Sequence, residues 1–311
     1  MVIETLDHLA ALLDAPLLDR SPTSFHWIIS IWLGCLGGCV GSFLNVVIYR
    51  LPRGLSITHP RSRCPGCGHS IRWYDNLPIL SWFLLRGRCR DCGTRFSFRY
   101  AAVETLLASG FFMLAWYELF SHGHNMPGEN QNLDHAFLNP QLSWSLYTYH
   151  LLLWTTLVAA ALIQLDRFPV PNRLWIPAII VGYSAPLLLT ELHPLEPLGF
   201  TSHDWLRAPL NLAHGTLAGA GIGSLLAWSV GRVEEPAGQR RALVVATLLC
   251  GVFLGWQTAI GLGLAIGILM VTTATLGYLL GHRWSMLRIL WLAVVTLPVL
   301  LSWKHWIQLL E

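Results

Sequence analysis

Long apolar runs, rather than amphipathic periods, dominate this chain. A helix crosses the hydrocarbon core of a bilayer with about 20 apolar residues. Eight stretches approach that length: 27–49, 101–120, 145–165, 174–192, 212–231, 242–257, 259–280 and 286–304. The sixth and seventh nearly abut. Together they are too long for one crossing and suit a tight hairpin, with Gly255 and Gly261 flanking the turn. The pattern predicts an all-α polytopic membrane protein of about eight transmembrane helices.

The connections alternate in charge. Residues 50–99 hold ten Arg and two acids, whereas 121–144 hold no Lys or Arg. Arg167 and Arg173 lie on the third connection, Arg232, Arg240 and Arg241 on the fifth, and Arg283 on the seventh. The fourth has one Arg and two acids, and the sixth has no charge. Basic connections stay on the cytoplasmic side. Every odd connection is therefore expected inside and both termini outside. The implied organisation is an extracytoplasmic segment 1–26, a first span 27–49, a cytosolic loop 50–100 and a seven-helix membrane domain 101–311. Residues 1–25 are acidic, with no basic stretch before an apolar one, so no signal peptide is expected.

The loop carries Cys64-Pro-Gly-Cys67 and Cys89-Arg-Asp-Cys92. Two Cys-x-x-Cys pairs at this separation aim four thiolates at one point, a closed soft-ligand set suited to structural zinc. The competing readings are two disulfides or four unligated thiols. A reducing cytosol disfavours the disulfides, leaving a small cytosolic zinc-ribbon-like loop between helices 1 and 2. Gly66, Gly68 and Gly93 are expected at positive φ in the knuckle turns. The ten Arg read as topology signals with contact to anionic headgroups. Nucleic-acid binding is not expected, because the loop is tethered to a membrane and has no recognition-helix pattern.

Composition agrees. The chain is 54% hydrophobic and 12% charged, with mean hydropathy +0.51, where a soluble domain carries about 25% charged residues. Many of its fifteen Trp lie near the ends of apolar runs, as in interfacial belts. Cys35, Cys39 and Cys250 read as small buried hydrophobes. Glycines four apart, such as Gly37 and Gly41, or Gly215, Gly219 and Gly223, predict close helix packing in lipid. Glu104 is either an interfacial acid or a functional group facing the bundle interior. Almost no charge falls within the spans, which argues against a transporter.

Gly41-Ser-Phe-Leu-Asn-Val-Val-Ile-Tyr-Arg-Leu-Pro52, Arg63-Cys64-Pro65, Trp73-Tyr-Asp-Asn-Leu-Pro78, Leu80-Ser81-Trp82, Leu85-Arg-Gly-Arg-Cys89 and Arg99-Tyr100 through Glu104 closely resemble the bacterial type IV prepilin leader peptidase/N-methyltransferase family. The resemblance is dense from Gly41 to about Leu107. It implies a multi-pass protein of the bacterial cytoplasmic membrane, acting on type IV prepilins or the pseudopilins of type II secretion. It also implies leader cleavage by two aspartates, and N-methylation from S-adenosylmethionine with a role for Gly87 in the loop. An aspartic dyad works because two close carboxylates share one proton.

The chain departs from the family in both aspartate motifs. In Leu162-Ile-Gln164-Leu-Asp166-Arg-Phe-Pro-Val-Pro171-Asn172, the family's first aspartate is replaced by Gln164, an amide that cannot act as a base. The second, expected near Leu243, is missing: no Asp lies between 205 and 311. Asp166, Glu234 and Glu235 are the candidate stand-ins. The competing reading makes Asp166 a loop acid near Arg167, and the two Glu solvated charges beside Arg240 and Arg241. Two functions follow: a family enzyme with weakened or absent cleavage, or a non-catalytic relative that binds pilin-like helices as an assembly factor. No sequence feature specifies an oligomeric state.

Overall fold

A computed structural model describes residues 24–120, 125, 140–193, 204–229, 238–279 and 288–303. Among the described residues every regular element is helical. The long helices are α1 (Ser24–Arg50), α3 (Arg99–Leu114, continuing as a π-helical turn Ala115–Phe120), α4 (Pro140–Leu165), α5 (Asn172–Leu188), α6 (Asp204–Ser229), α7 (Gln239–Leu279) and α8 (Arg288–Leu301). A five-residue helix, α2 (Leu80–Leu84), lies in the loop between α1 and α3. The expected extracytoplasmic segment before Ser24 lies outside the described residues, as do most of the second, fourth and seventh connections.

α4 is the hub. Leu153, Trp154, Leu157, Ala159, Ala160 and Ile163 are all essentially inaccessible, the all-round burial of a central helix. Its aromatic side chains use their polar ends on neighbouring backbones: Tyr147 donates to the Phe111 carbonyl at 3.2 Å, Tyr149 to Gly182 at 3.1 Å, and Trp154 to Ala293 at 3.2 Å. These bonds reach α3, α5 and α8, and satisfy buried donors at the cost of no extra polar group.

Glycines set the close helix pairs. A Cβ on Gly37 would lie 2.6 Å from the Leu107 carbonyl, and one on Gly41 2.7 Å from the Glu104 backbone, so α1 and α3 pack backbone to backbone. The opposite face of α1 turns outward with Trp32, Leu36 and Phe43. Cys35 and Cys39 share this outward face and are exposed, contrary to their expected burial; Cys250 is buried.

α7 contains a reversal. Gly215, Gly219 and Gly223 of α6 meet Gly251, Thr247 and Val244 in descending order, so these stretches run antiparallel. Gly263 and Gly267 then meet Ile222 and Leu226 in ascending order. The later half of α7 thus runs back along α6, and the turn is at Gly255, whose φ of 82° and ψ of 171° are non-helical. Only glycine adopts that backbone readily. The hairpin expected at Gly255 and Gly261 is present, with the break at the first glycine.

Among the described residues, four helical stretches are long and apolar enough to cross a membrane: Ser24–Arg53, Arg99–Phe120, Gln141–Leu165 and Gln239–Thr273. The fourth contains the reversal. The apolar part of α8, Leu292–Leu301, is shorter.

Candidate metal centre and active-site motif

Each Cys-x-x-Cys pair sits in the same local turn. Cys64 N–H donates to the His69 carbonyl at 2.9 Å and Gly68 N–H to the Cys64 carbonyl at 2.9 Å. The second pair repeats this, with Cys89 N–H on Thr94 at 2.8 Å and Gly93 N–H on Cys89 at 3.0 Å. Isolated bridges, Arg63 with Ser70 and Arg88 with Arg95, close the two turns. These bridges are the loop's only β-type pairing, so it is a pair of knuckles rather than a stranded ribbon. Gly68 and Gly93 take φ of 71° and 73° as expected. Gly66 does not have a positive φ; it is required because any side chain there would run into Thr94.

The four sulfurs of Cys64, Cys67, Cys89 and Cys92 all lie within 4.8 Å of one another, and Cys64 Sγ is 3.6 Å from Cys92 Sγ. Four thiolates at about 2.3 Å from a tetrahedral zinc stand about 3.8 Å apart, so the donor set fits zinc in both chemistry and spacing. The separation is far beyond a disulfide bond. The Thr94 hydroxyl, 3.1 Å from Cys92 Sγ, and the Thr94 backbone N–H draw the Cys92 thiol down, whereas Cys67 in the same cluster is shifted up, as for four close sulfurs sharing protons.

Ion pairs brace the knuckles. Arg90 binds Asp75 through both Nε and Nη2, the latter at 2.6 Å, and Arg72 reaches Asp91 at 3.0 Å. Asp75 has only 8% of its side chain exposed. Its hydrogen bond to Arg90 holds its carboxyl below the usual carboxylate range.

Gly87 has φ of 62°. Its N–H donates to the Trp82 carbonyl at 2.8 Å, its carbonyl accepts from Phe96, and a Cβ would stand 3.0 Å from the Trp82 indole. Backbone conformation and packing alone therefore demand glycine here.

In the aspartate motif, Gln164 is buried at the end of α4. Asp166 pairs with Arg99, not Arg167. Arg99 Nη1 contacts Asp166 Oδ1, Nη2 contacts Oδ2 at 3.0 Å, and Nη2 also reaches the Leu162 carbonyl at 3.4 Å. Arg167 takes φ of 63° and its N–H closes the helix end on the Gln164 carbonyl at 2.8 Å. Leu243, where the second aspartate is expected, is a buried apolar residue of α7. Glu234 and Glu235 lie outside the described residues.

The sequence reading missed one feature. Glu118 and His150 form a buried pair, Oε1 to Nδ1 at 2.7 Å, with side chains 0% and 1% exposed. The π-helical turn Ala115–Phe120 carries Glu118, and the added backbone rotation of such a turn separates it from a simple helical period.

The profile of the Bacterial Peptidase A24 N-terminal domain matches residues 35–118. A prepilin leader peptidase/N-methyltransferase of Myxococcus xanthus is 34% identical over 268 residues, 80% of this chain and 65% of that protein. A type 4 prepilin-like proteins leader peptide-processing enzyme of Escherichia coli is 35% identical over 202 residues, 56% of this chain and 66% of its own length. The chain thus spans just under two thirds of each of these two. A prepilin leader peptidase/N-methyltransferase of Aeromonas hydrophila is 30% identical over 279 residues, 80% of this chain and 79% of its own. No solved structure matches. With four-fifths of the chain aligned to nearly four-fifths of the Aeromonas protein, and the amino-terminal profile falling on the α1, knuckle and α3 region, this chain belongs to the prepilin leader peptidase/N-methyltransferase family.

Proposed function

We propose that this chain is an eight-span protein of the bacterial cytoplasmic membrane that handles type IV prepilins or pseudopilins without efficient leader cleavage. The carrying observation is the Arg99–Asp166 pair. A dyad carboxylate must take and release a shared proton. The Asp166 carboxylate has both oxygens engaged by one guanidinium, which fixes it in place and leaves it directed at Arg99 rather than at a second acid. Gln164 and Leu243 supply no second acid. Cys64, Cys67, Cys89 and Cys92 hold a structural zinc that keeps the loop folded at the cytosolic face. The basic odd connections and the Gly255 reversal support this topology.

N-methylation is the surviving activity under this reading. Methyl transfer depends on aligning amine and donor rather than on two acids, and S-adenosylmethionine supplies the methyl group. The second reading, a non-catalytic pilin-binding or assembly factor, is favoured by one observation: packing under Trp82 accounts for Gly87 without any role in methyl transfer. Should cleavage occur after all, Asp166, Glu234 and Glu235 are the carboxylates assigned to it.

The test gives the reconstituted protein two substrates, a full prepilin and the same pilin already trimmed, with an isotopically labelled methyl donor. Mass spectrometry reads both reactions. Label on the trimmed pilin, with the prepilin intact, is the expected result. Binding of either without label selects the non-catalytic reading. Rapid cleavage of the prepilin contradicts the proposal.

A further inference from the structure

The knuckle loop sends one segment deep along the membrane helices. Pro78 and Ile79 lie against Gly38 of α1, where a Cβ would stand 3.4 Å from Pro78 Cβ, 3.9 Å from Ala108 Cβ and 4.0 Å from Ile79 Cδ1. Gly38 precedes the end of α1 at Arg50 by twelve residues, or about 18 Å of helix. Ala108 lies nine residues into α3 from Arg99, or about 13 Å. The polar ring at this end of the bundle is marked by the Arg99–Asp166 pair and by Arg53, 4.1 Å from the rings of both Tyr49 and Phe168. Residues 78 and 79 therefore sit well inside that ring, at a depth comparable to half of a hydrocarbon core of about 30 Å.

The backbone donors of residues 79–81 are all taken up within the protein. Pro78 has no N–H. Ile79 N–H donates to Glu104 Oε2 at 2.6 Å, Leu80 N–H to the Pro78 carbonyl at 2.6 Å, and Ser81 N–H to the Leu77 carbonyl at 3.1 Å. Ile79, at φ 64° and ψ −58°, centres a tight γ-turn that a β-branched residue adopts only under strain. Internal partners for the donors at this turn are what a bilayer interior demands of irregular backbone. A water-exposed loop has no such need.

The side chains that follow point away from the protein. Leu80, Phe83 and Leu84 are 61%, 57% and 75% exposed, while Trp82 faces inward on Phe98 and donates to the Phe96 carbonyl at 3.3 Å. Exposed Arg86 and Arg88 come next, placed where lipid phosphates would meet them. Trp73 and Tyr74 precede the turn, both exposed, as aromatics at a headgroup boundary are.

We propose that residues 77–84 form a re-entrant element embedded in the leaflet on the knuckle side, with Leu80, Phe83 and Leu84 covered by lipid acyl chains. The zinc-clamped loop is then anchored in the bilayer as well as tethered to it. Glu104 serves as the internal acceptor that lets the turn enter.

The wild-type protein, zinc-loaded, is reconstituted in vesicles containing phosphatidylglycerol with a diazirine on its acyl chain, and irradiated. Trypsin cuts after Arg72 and Arg86, so the peptide Trp73–Arg86 isolates the segment. Lipid adducts on Leu80, Phe83 or Leu84, at a yield matching lipid-facing α6 residues such as Leu217 and Leu225, are expected. An unmodified Trp73–Arg86 peptide beside modified α6 peptides overturns the proposal. A second measurement places nitroxides at Leu84→Cys and at Arg61→Cys, with Cys35, Cys39 and Cys250 changed to Ala. At position 84 oxygen should collide more, and a water-soluble nickel chelate less, than at position 61. Higher nickel collision at 84 indicates a solvated loop, and low collision with both reagents indicates a protein partner on this face. Either result contradicts the proposal.

Discussion

Arg99, at the first turn of α3, grips the carboxylate of Asp166, sixty-seven residues later at the end of α4, with both terminal nitrogens of its guanidinium. The pair fastens the end of the knuckle loop to the central helix. It also engages both oxygens of the one remaining carboxylate of the aspartate motif.

Breaking this pair should loosen the structure only modestly. The two side chains are 42% and 25% exposed, and ion pairs of that exposure contribute about 0.2–1 kcal/mol. Asp166→Asn should lower thermal stability slightly and change prepilin processing not at all. Melting curves of the detergent-solubilised variants check the first part, and product analysis the second.

The buried Glu118–His150 pair should matter far more. Removing one partner leaves the other buried polar group without its hydrogen bond, at a cost of about 1–3 kcal/mol. His150→Leu is expected to cut the melting temperature sharply. The double variant Glu118→Leu, His150→Leu should recover part of the loss, because no buried polar group of the pair is left without its partner.

Glycine substitutions should sort by contact rather than by helix. A side chain at Gly215 meets the Gly251 backbone, whereas nothing lies within 4 Å of Gly221. Gly215→Ala should cost about 1–3 kcal/mol, the usual range for overpacking, and Gly221→Ala almost nothing. Gly87→Ala should destabilise the knuckle loop in the absence of any substrate, read as faster proteolysis between α1 and α3. Normal loop stability with lost methylation would instead assign Gly87 to the reaction.

Much of this was legible in the chain. Knuckle geometry is local, so the four cysteines and the turns at Gly68 and Gly93 followed from spacing. Apolar runs marked the helices, and a pair of runs too long for one crossing marked the reversal at Gly255. Partners distant in sequence were not legible. Arg167 stands next to Asp166, yet the helix-closing backbone of Arg167 leaves the carboxylate to Arg99. Glu118 drew no expectation, because a π-helical turn cannot be read from a 3.6-residue period. Cys35 and Cys39 seemed buried because apolar surroundings do not distinguish a protein core from lipid.

The acid response of the loop has a defined sign. The hydrogen bond from Arg90 depresses Asp75 below its unfolded value, which is about 3.9. Its stabilisation is therefore complete above that value and is lost as pH falls through the lower, folded one. Asp75→Asn should weaken the loop at pH 7. The difference from wild type should shrink as the pH is taken below about 4, measured as loop proteolysis rates across pH.

The most direct test of the central claim is the mass of a basic-leader prepilin after prolonged incubation with the reconstituted, zinc-loaded protein. The account predicts an intact leader for wild type and for Arg99→Gln alike, since freeing Asp166 still leaves Gln164 and Leu243 where a second acid is needed. A trimmed pilin from the wild-type protein, with trimming abolished by Asp166→Asn, would contradict it.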